Sequence, residues 1–149
     1  MKKILLFIAR GCFSLIFIVA GVDKLINWQG TVNSLVLTLS KWYMHLGETV
    51  MTMEMHEFLV ERASVILRIT TFLEIAGAFI IVIGFKIRIG ALILLLFLVP
   101  TTLIMHPFWF SVGGEMHSEV FVFLKNLSLI GALLFIFVGP QPQSVKKCL

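Results

Sequence analysis

The most constraining feature of this sequence is one carboxylate, Glu74, at the centre of an apolar run over residues 64–84. A bilayer's hydrocarbon core takes about 20 helical residues to cross, so Glu74 would lie near the midplane. An ionised group at that depth costs at least about 2.5–3.5 kcal/mol, and such groups usually face the protein interior and meet a counter-charge. The run therefore predicts a membrane helix packed against other helices around Glu74.

The remaining side chains of this run separate into two kinds of helix face. The small and polar face holds Thr70, Thr71, Glu74, Gly77 and Ala78. The other faces hold Ile69, Phe72, Phe79, Ile80 and Ile83. Because small residues let membrane helices approach closely, we expect the first face to look inward and the bulky faces to contact lipid.

The whole chain has the composition of a membrane protein. Its 149 residues are 59% hydrophobic, and the mean hydropathy is +1.04, far from the values of soluble domains. Three further apolar runs, about residues 4–22, 89–105 and 120–138, are each about as long as a membrane crossing requires. We therefore predict an all-α fold, a four-transmembrane-helix bundle that forms a single membrane domain over residues 1–149.

The connection over residues 23–63 is too long for a turn. Its apolar and aromatic residues recur at three- and four-residue steps, as in an amphipathic helix; they are Trp28, Val32, Leu35, Val36, Leu39, Trp42, Tyr43 and Leu46. A second short helix is expected over residues 48–62. Met51, Met53 and Met55 would point to different faces of that helix, so we interpret them as packing residues and predict no metal site.

Lysine and arginine in the connections predict the orientation, because cytoplasmic segments keep positive charge. Both chain ends and the turn at residues 85–88 are basic, whereas residues 23–63 hold three basic and five acidic residues. We predict a multi-pass membrane protein with both termini cytoplasmic. Arg10 interrupts the first apolar run, which argues against a cleaved signal peptide. The basic residues are scattered, so nucleic acid is not an expected partner.

Two cations inside the apolar runs are candidate partners for Glu74. Arg10 either snorkels to lipid phosphate or pairs with Glu74, and Lys125 lies about a third of the way into the fourth run. A ladder of Arg10, Glu74 and Lys125 would leave one cation in excess, which must be neutral, reach water or hold an anionic or carbonyl ligand. Asp23 and Lys24, at the predicted end of the first run, are interpreted as solvated interface charges.

His106 is the histidine best placed for function, since it lies at the predicted mouth of the bundle, where it could exchange protons with a group inside. The sequence around it, His106-Pro107-Phe108-Trp109, is also typical of a membrane-interface anchor. No histidine lies within a span, so this chain by itself cannot hold a haem by two axial histidines. The two cysteines, Cys12 and Cys148, lie at different levels and cannot pair.

The arrangement of these motifs resembles the DoxX family of small four-helix membrane proteins. The matching pieces are Ala9-Arg10-Gly11, Phe17–Leu25, Glu74–Gly77, His106–Trp109 and Phe123–Leu127. The resemblance implies an inner-membrane protein linked to redox chemistry, since some relatives are subunits of thiosulfate:quinone oxidoreductase and others are grouped with thiol-stress and superoxide-detoxification complexes. By the same analogy, a polar intramembrane site would be formed by Arg10, Glu74, His106, Lys125 and Asn126.

Two functional hypotheses remain open at this point, and with them the question whether the chain is an enzyme. In the first, it is a quinone-linked or thiol and sulfur redox subunit with no intrinsic cofactor: a bound quinone meets Lys125 and His106, Glu74 passes protons, and a partner subunit supplies electrons. In the second, the buried charges fix helix register, and the chain is a non-catalytic assembly or stabilising factor of a larger membrane complex. A transporter is disfavoured because no inverted repeat is visible. The sequence assigns no catalytic residue.

Overall fold

The described part of the computed structural model, residues 1–47 and 51–139, is helical with short connections. Its helices are α1 (Lys2–Ile26), α2 (Trp28–Leu46), α3 (Met53–Glu61), α4 (Ala63–Ile83), α5 (Ile87–Met105) and α6 (Gly114–Val138), with a 3₁₀ turn at Phe108–Phe110. The short helix predicted over residues 48–62 is α3, but it begins later than predicted, because Met51 and Thr52 are not helical and the Thr52 side chain caps the helix by accepting from the Met55 N–H. The predicted start at Glu48 lies outside the described residues. The same holds for Pro140 and for the basic tail with Lys146, Lys147 and Cys148.

Four helices of the described chain are long and apolar enough to cross a membrane, namely α1, α4, α5 and α6. This confirms the predicted all-α fold with four spans. The first span is longer than predicted, because α1 continues past residue 22 to Ile26. Asp23 and Lys24 indicated a surface, but neither residue breaks a helix, and the Asn27 N–H donates to the Asp23 carbonyl at 2.8 Å. Lys24 therefore lies inside the helix and not in the loop after it.

The four membrane helices pack in the order α1, α4, α5, α6. Glycines allow α4 and α5 to approach closely, since a Cβ on Gly77 would lie 2.8 Å from the Leu94 side chain and one on Gly90 would lie 3.0 Å from the Gly77 carbonyl oxygen. Ala78, Ile81 and Leu133 belong to the buried cluster between the helices. The helices α1 and α6 stand at the two edges of this row. Only 17% of the most apolar stretch of α1 and 11% of that of α6 are buried inside the protein.

The two kinds of face predicted for α4 are confirmed. Thr71, Glu74, Gly77 and Ala78 are buried, and Thr70 is half-buried. On the lipid side, Ile69, Phe72, Phe79 and Ile83 are at least half exposed, while Ile80 is partly covered. The sequence pattern thus assigned the inward face of this helix correctly.

The amphipathic helix predicted in the first connection is α2, and together with α3 it covers one end of the membrane helices, called here the capped end. Leu35 and Leu39 of α2 pack against Ala63 and Leu67 of α4. The Trp42 indole N–H donates to the Ile104 carbonyl of α5 at 2.9 Å. An apolar seam and one hydrogen bond therefore hold α2 onto the membrane helices.

The opposite end, called here the turn end, holds the tight turn between α4 and α5. Gly84 (φ 80°) ends α4 in the left-handed conformation, which glycine adopts without strain. Arg88 of the following helix donates from Nη2 to the Gly139 carbonyl at 2.9 Å, so the described end of α6 lies beside the start of α5. Because four spans separate them, the first and last described residues lie on the same side of the bundle.

Candidate functional site

Glu74 is paired with a lysine in the interior of the protein. The Lys24 ammonium nitrogen lies 2.6 Å from Glu74 Oε2, and the two side chains are 22% and 4% exposed. The same nitrogen lies 4.8 Å from the centroid of the Phe97 ring, so the aromatic face adds a favourable contact for the cation. The expectation that this carboxylate meets a counter-charge is confirmed, but the interpretation of Lys24 as a solvated interface charge was wrong.

A close approach of α1 to α4 makes this pair possible. A Cβ on Gly21 would lie 2.6 Å from Ile75 Cγ1 and 3.8 Å from Glu74 Oε2. Any larger residue at position 21 would therefore separate the two helices or displace Ile75. Lys24 follows Gly21 by one helical turn, on the same side of α1, and so reaches across to Glu74.

The predicted ladder of Arg10, Glu74 and Lys125 is wrong as a set of ion pairs. The Arg10 guanidinium lies against Gly84 at the turn end, where a Cβ on the glycine would overlap Arg10 Nη1. Gly84 is ten residues from Glu74 along α4, which corresponds to about 15 Å. The last carbonyls of a helix attract cationic donors, and this helix end offers Arg10 an alternative to the carboxylate.

Four of the five predicted site residues line one cavity of about 230 Å³, which we call the α1/α6 cleft because its walls come from these two edge helices and from α4 and α5 behind them. The four are Glu74, His106, Lys125 and Asn126; Lys24 joins them, and Arg10 does not. The remaining walls are apolar apart from one threonine: Ile16, Phe17, Ala20, Phe97, Leu98, Thr101, Met105, Val122 and Leu129. Tertiary structure therefore gathers most of the predicted polar residues at one place.

The helix that supplies Lys125 also supplies a buried amide. Asn126 is 7% exposed, whereas Lys125 is exposed at the side of the cleft. Lys24 and Glu74 neutralise one another, so the Lys125 ammonium is the charge that the cleft presents to a bound molecule. An ammonium offers three hydrogen-bond donors and a carboxamide offers two donors and an acceptor. The cleft is thus suited to a ligand with oxygen acceptors.

His106 closes the cleft at the capped end. Its Nδ1 lies 2.8 Å from Glu119 Oε2, so this pair joins the end of α5 to α6. Arg68, a cation near the start of α4, is exposed on the lipid side of that helix. Within the two described ranges, no group of three or more histidine, cysteine or acidic side chains is placed to hold a metal ion.

Sequence reasoning missed Lys24, although a signal for it was present. Arg10, Ser14, Phe17 and Gly21 lie on one stripe of α1, and one further turn along that stripe leads to Lys24. Had α1 been predicted to end at Ile26, this lysine would have been counted among the interior cations. The error therefore came from the position of the helix end and not from the stripe.

The fold and the cleft define a multi-pass helical membrane protein with a polar site between its helices. The DoxX family model matches residues 5–107, and the chain belongs to this family. The inner membrane protein YphA of Escherichia coli (strain K12) is 29% identical over 147 residues, which cover 98% of this chain and 91% of that protein. The chain is accordingly a multi-pass inner membrane protein. No solved structure gives a significant match.

The matched residues also divide the candidate site. The family match includes α1 to α5, and with them Lys24, Glu74 and His106. The helix α6, with Lys125 and Asn126, follows the matched stretch and is covered by the similarity to YphA.

Proposed function

We propose that this chain is a redox subunit of the inner membrane that binds the head group of a quinone, or of a similar carbonyl compound, in the α1/α6 cleft. The observation that carries the proposal is the cation and amide of Lys125 and Asn126, which line the same cavity as the neutral Lys24–Glu74 pair. Lys125 lies within a membrane helix and forms no ion pair with another side chain of the described ranges, and a cation so placed favours a ligand with anionic or strongly polarised oxygen. Quinones carry such oxygens and dissolve in the bilayer, which surrounds the α1/α6 cleft.

In this proposal Lys125 and Asn126 donate hydrogen bonds to a quinone carbonyl. Such bonds are stronger in a low-dielectric site than in water, and one that involves an ammonium is stronger than one between neutral groups. As negative charge develops on the oxygen during reduction, the Lys125 ammonium stabilises it. The apolar walls keep the rest of the ring away from water.

Reduction of a quinone to the quinol consumes two electrons and two protons. Glu74 and Lys24 are the groups that hand protons on within the cleft, and His106, which lines the cleft at its capped end and contacts Glu119, is the exchange point. With the predicted orientation, both termini are cytoplasmic and His106 exchanges protons with the extracytoplasmic side.

The electrons come from a partner subunit in this proposal, which carries a thiol or another reduced sulfur compound as the donor. Two electrons leave the sulfur compound, which is oxidised, and reduce the quinone. This chain supplies the binding site and the proton route. Most of the apolar surface of α1 and α6 is not buried by other helices of this chain, so each helix offers such a subunit an apolar face to bind.

The second candidate function, a non-catalytic assembly or stabilising factor, is favoured by those same edge faces. In that case the Lys24–Glu74 pair fixes the register of α1 on α4, and the partner subunit requires no quinone in the cleft. The two functions differ in whether a quinone is bound.

Purification in a mild detergent, followed by extraction and mass spectrometry of bound lipids, separates them. We expect quinone at close to one molecule per chain, lost in Lys125→Ala and retained in the control Arg68→Ala. Arg68, like Lys125, is an exposed cation within a span, but it does not line the cleft. A stable co-purifying protein without quinone, unchanged after quinone is added back in nanodiscs, would favour the assembly role.

A further inference from the structure

A second cavity of about 200 Å³ lies on the other side of Lys24. Its walls come from α2, from the first turns of α4 and from the half of α5 around Pro100. Four residues line both this cavity and the α1/α6 cleft: Lys24, Phe97, Thr101 and Met105. We call it the tail cavity, for the reason that follows.

The tail cavity offers little to a polar head group. Leu35, Ile66 and Leu67 line it, and two of its three threonine hydroxyls already donate to backbone carbonyls of the preceding turn. Thr31 donates to the Asn27 carbonyl at 2.9 Å, and Thr70 donates to carbonyls of the preceding turn at 3.0 Å. Their methyl groups remain for contact with a ligand, so the cavity suits a hydrocarbon chain.

An apolar void of this size forfeits dispersion contacts along its walls, and a dry apolar cavity binds apolar molecules readily. In a bilayer, the apolar molecules available to occupy the cavity are hydrocarbon chains. Pro100 and Ile104 line the cavity and are also exposed on the lipid-facing side of α5. A hydrocarbon chain longer than the cavity can therefore extend past these two residues into the bilayer.

The wall shared with the cleft consists largely of long side chains. Lys24 crosses from α1 to Glu74 and over the Phe97 ring, and Met105 is unbranched and flexible. The two cavities therefore adjoin through four shared side chains, and two of these, Lys24 and Met105, have several rotatable bonds.

From this continuity we propose that the two cavities are one binding site for one molecule: the quinone head lies in the α1/α6 cleft, and its isoprenoid tail passes beside Lys24 into the tail cavity. The inference rests on the proposed function, and it names the substrate class as a quinone with a tail, bound through both parts. It also gives Lys24 a second role, because its alkyl chain lies against the tail while its ammonium holds Glu74.

Binding in nanodiscs with two quinones that share a head group tests the proposal, one with a methyl group and one with an isoprenoid tail at the same ring position. We expect the tailed quinone to bind about tenfold more tightly at equal mole fraction in the bilayer, which corresponds to about 1.4 kcal/mol. Leu67→Trp, which fills the tail cavity, should remove this preference and leave binding of the methyl quinone unchanged. The control Phe72→Trp, on the lipid side of the same helix and 71% exposed, should keep it.

A second variant and a photoreactive probe keep the test independent of the folding of Leu67→Trp. Leu35→Phe narrows the tail cavity from α2 and should reduce the preference as well. A quinone with a diazirine at the tail end should label residues 66–70 and 100–105, and the unlabelled tailed quinone should compete.

Each contrary outcome has a distinct meaning. Equal binding of both quinones, with the probe attached only to the outer faces of α1 and α6, overturns the tail site and leaves the proposed function standing. Labelling of the cavity by a phospholipid acyl-chain probe that quinone does not displace also overturns it, since the occupant is then a structural lipid. If neither quinone binds the wild-type chain, the proposed function fails together with the inference.

Discussion

In the ranges 1–47 and 51–139, two acid–base pairs join non-adjacent parts of the chain, and their geometry is nearly the same while their surroundings differ. Lys24–Glu74 ties α1 to α4 at 2.6 Å, and His106–Glu119 ties the end of α5 to α6 at 2.8 Å. The Glu74 side chain is 4% exposed, whereas that of Glu119 is 34% exposed. An exposed ion pair contributes little, but breaking a buried one leaves an uncompensated charge. Burial, and not distance, therefore ranks the two pairs.

The largest effect is expected from Lys24→Met, which leaves the buried Glu74 carboxylate without its partner. Removal of one member of a buried pair typically costs about 3–5 kcal/mol of unfolding free energy. Thermal unfolding in a mild detergent measures it, with Lys41→Met on the exposed side of α2 as the control. Adding Glu74→Leu to Lys24→Met should recover most of the loss, and a double variant as unstable as the single one would contradict the role of charge.

Glu74→Gln should be the next most damaging change. It keeps a side chain able to accept a hydrogen bond from Lys24 but removes the negative charge, and Lys24 retains some access to the cavities. We expect a loss of about 1–3 kcal/mol, the cost of leaving a buried group poorly satisfied. Glu115→Gln, an exposed change in the first turn of α6, should cost less than about 1 kcal/mol. Equal melting temperatures for the two variants would show that burial does not distinguish them.

Gly21→Ala tests whether close helix approach is needed for the buried pair. The new Cβ would lie 2.6 Å from Ile75 Cγ1, and overpacking of this kind typically costs about 1–3 kcal/mol. Gly11→Ala on the same helix is the matched control, because a Cβ there meets nothing within 4 Å. That variant should be neutral or more stable by up to about 1 kcal/mol, since alanine favours helix. A Gly21→Ala protein as stable as Gly11→Ala would mean that α1 shifts without loss.

The smallest effect is expected from Glu119→Gln at the capped end. The amide can still accept a hydrogen bond from His106, and this half-buried pair is nearer the surface case, in which an ion pair contributes about 0–1 kcal/mol. Unfolding compared with Glu57→Gln, an exposed change on α3, checks this. A loss as large as that of Lys24→Met would show that the two pairs are equally important and would remove the contrast drawn above.

The sequence by itself determined the four membrane helices, the inward face of α4 and the amphipathic helix α2. These features depend on side-chain periodicity and on the thickness of a bilayer, both of which act locally along the chain. It also determined that Glu74 needs a counter-charge, since this follows from the cost of burying an ion.

Only the tertiary structure decided which cation neutralises Glu74. Arg10, Lys24 and Lys125 all lie within apolar helices long enough to cross a membrane, so helix ends and helix neighbours select among them. The close approach of α1 to α4 at Gly21 brings Lys24 to Glu74. The Arg10 guanidinium instead lies against Gly84 at the end of α4, and Lys125 lines the α1/α6 cleft. Long-range pairing of this kind depends on a few ångströms of helix separation, which no local pattern in the chain encodes.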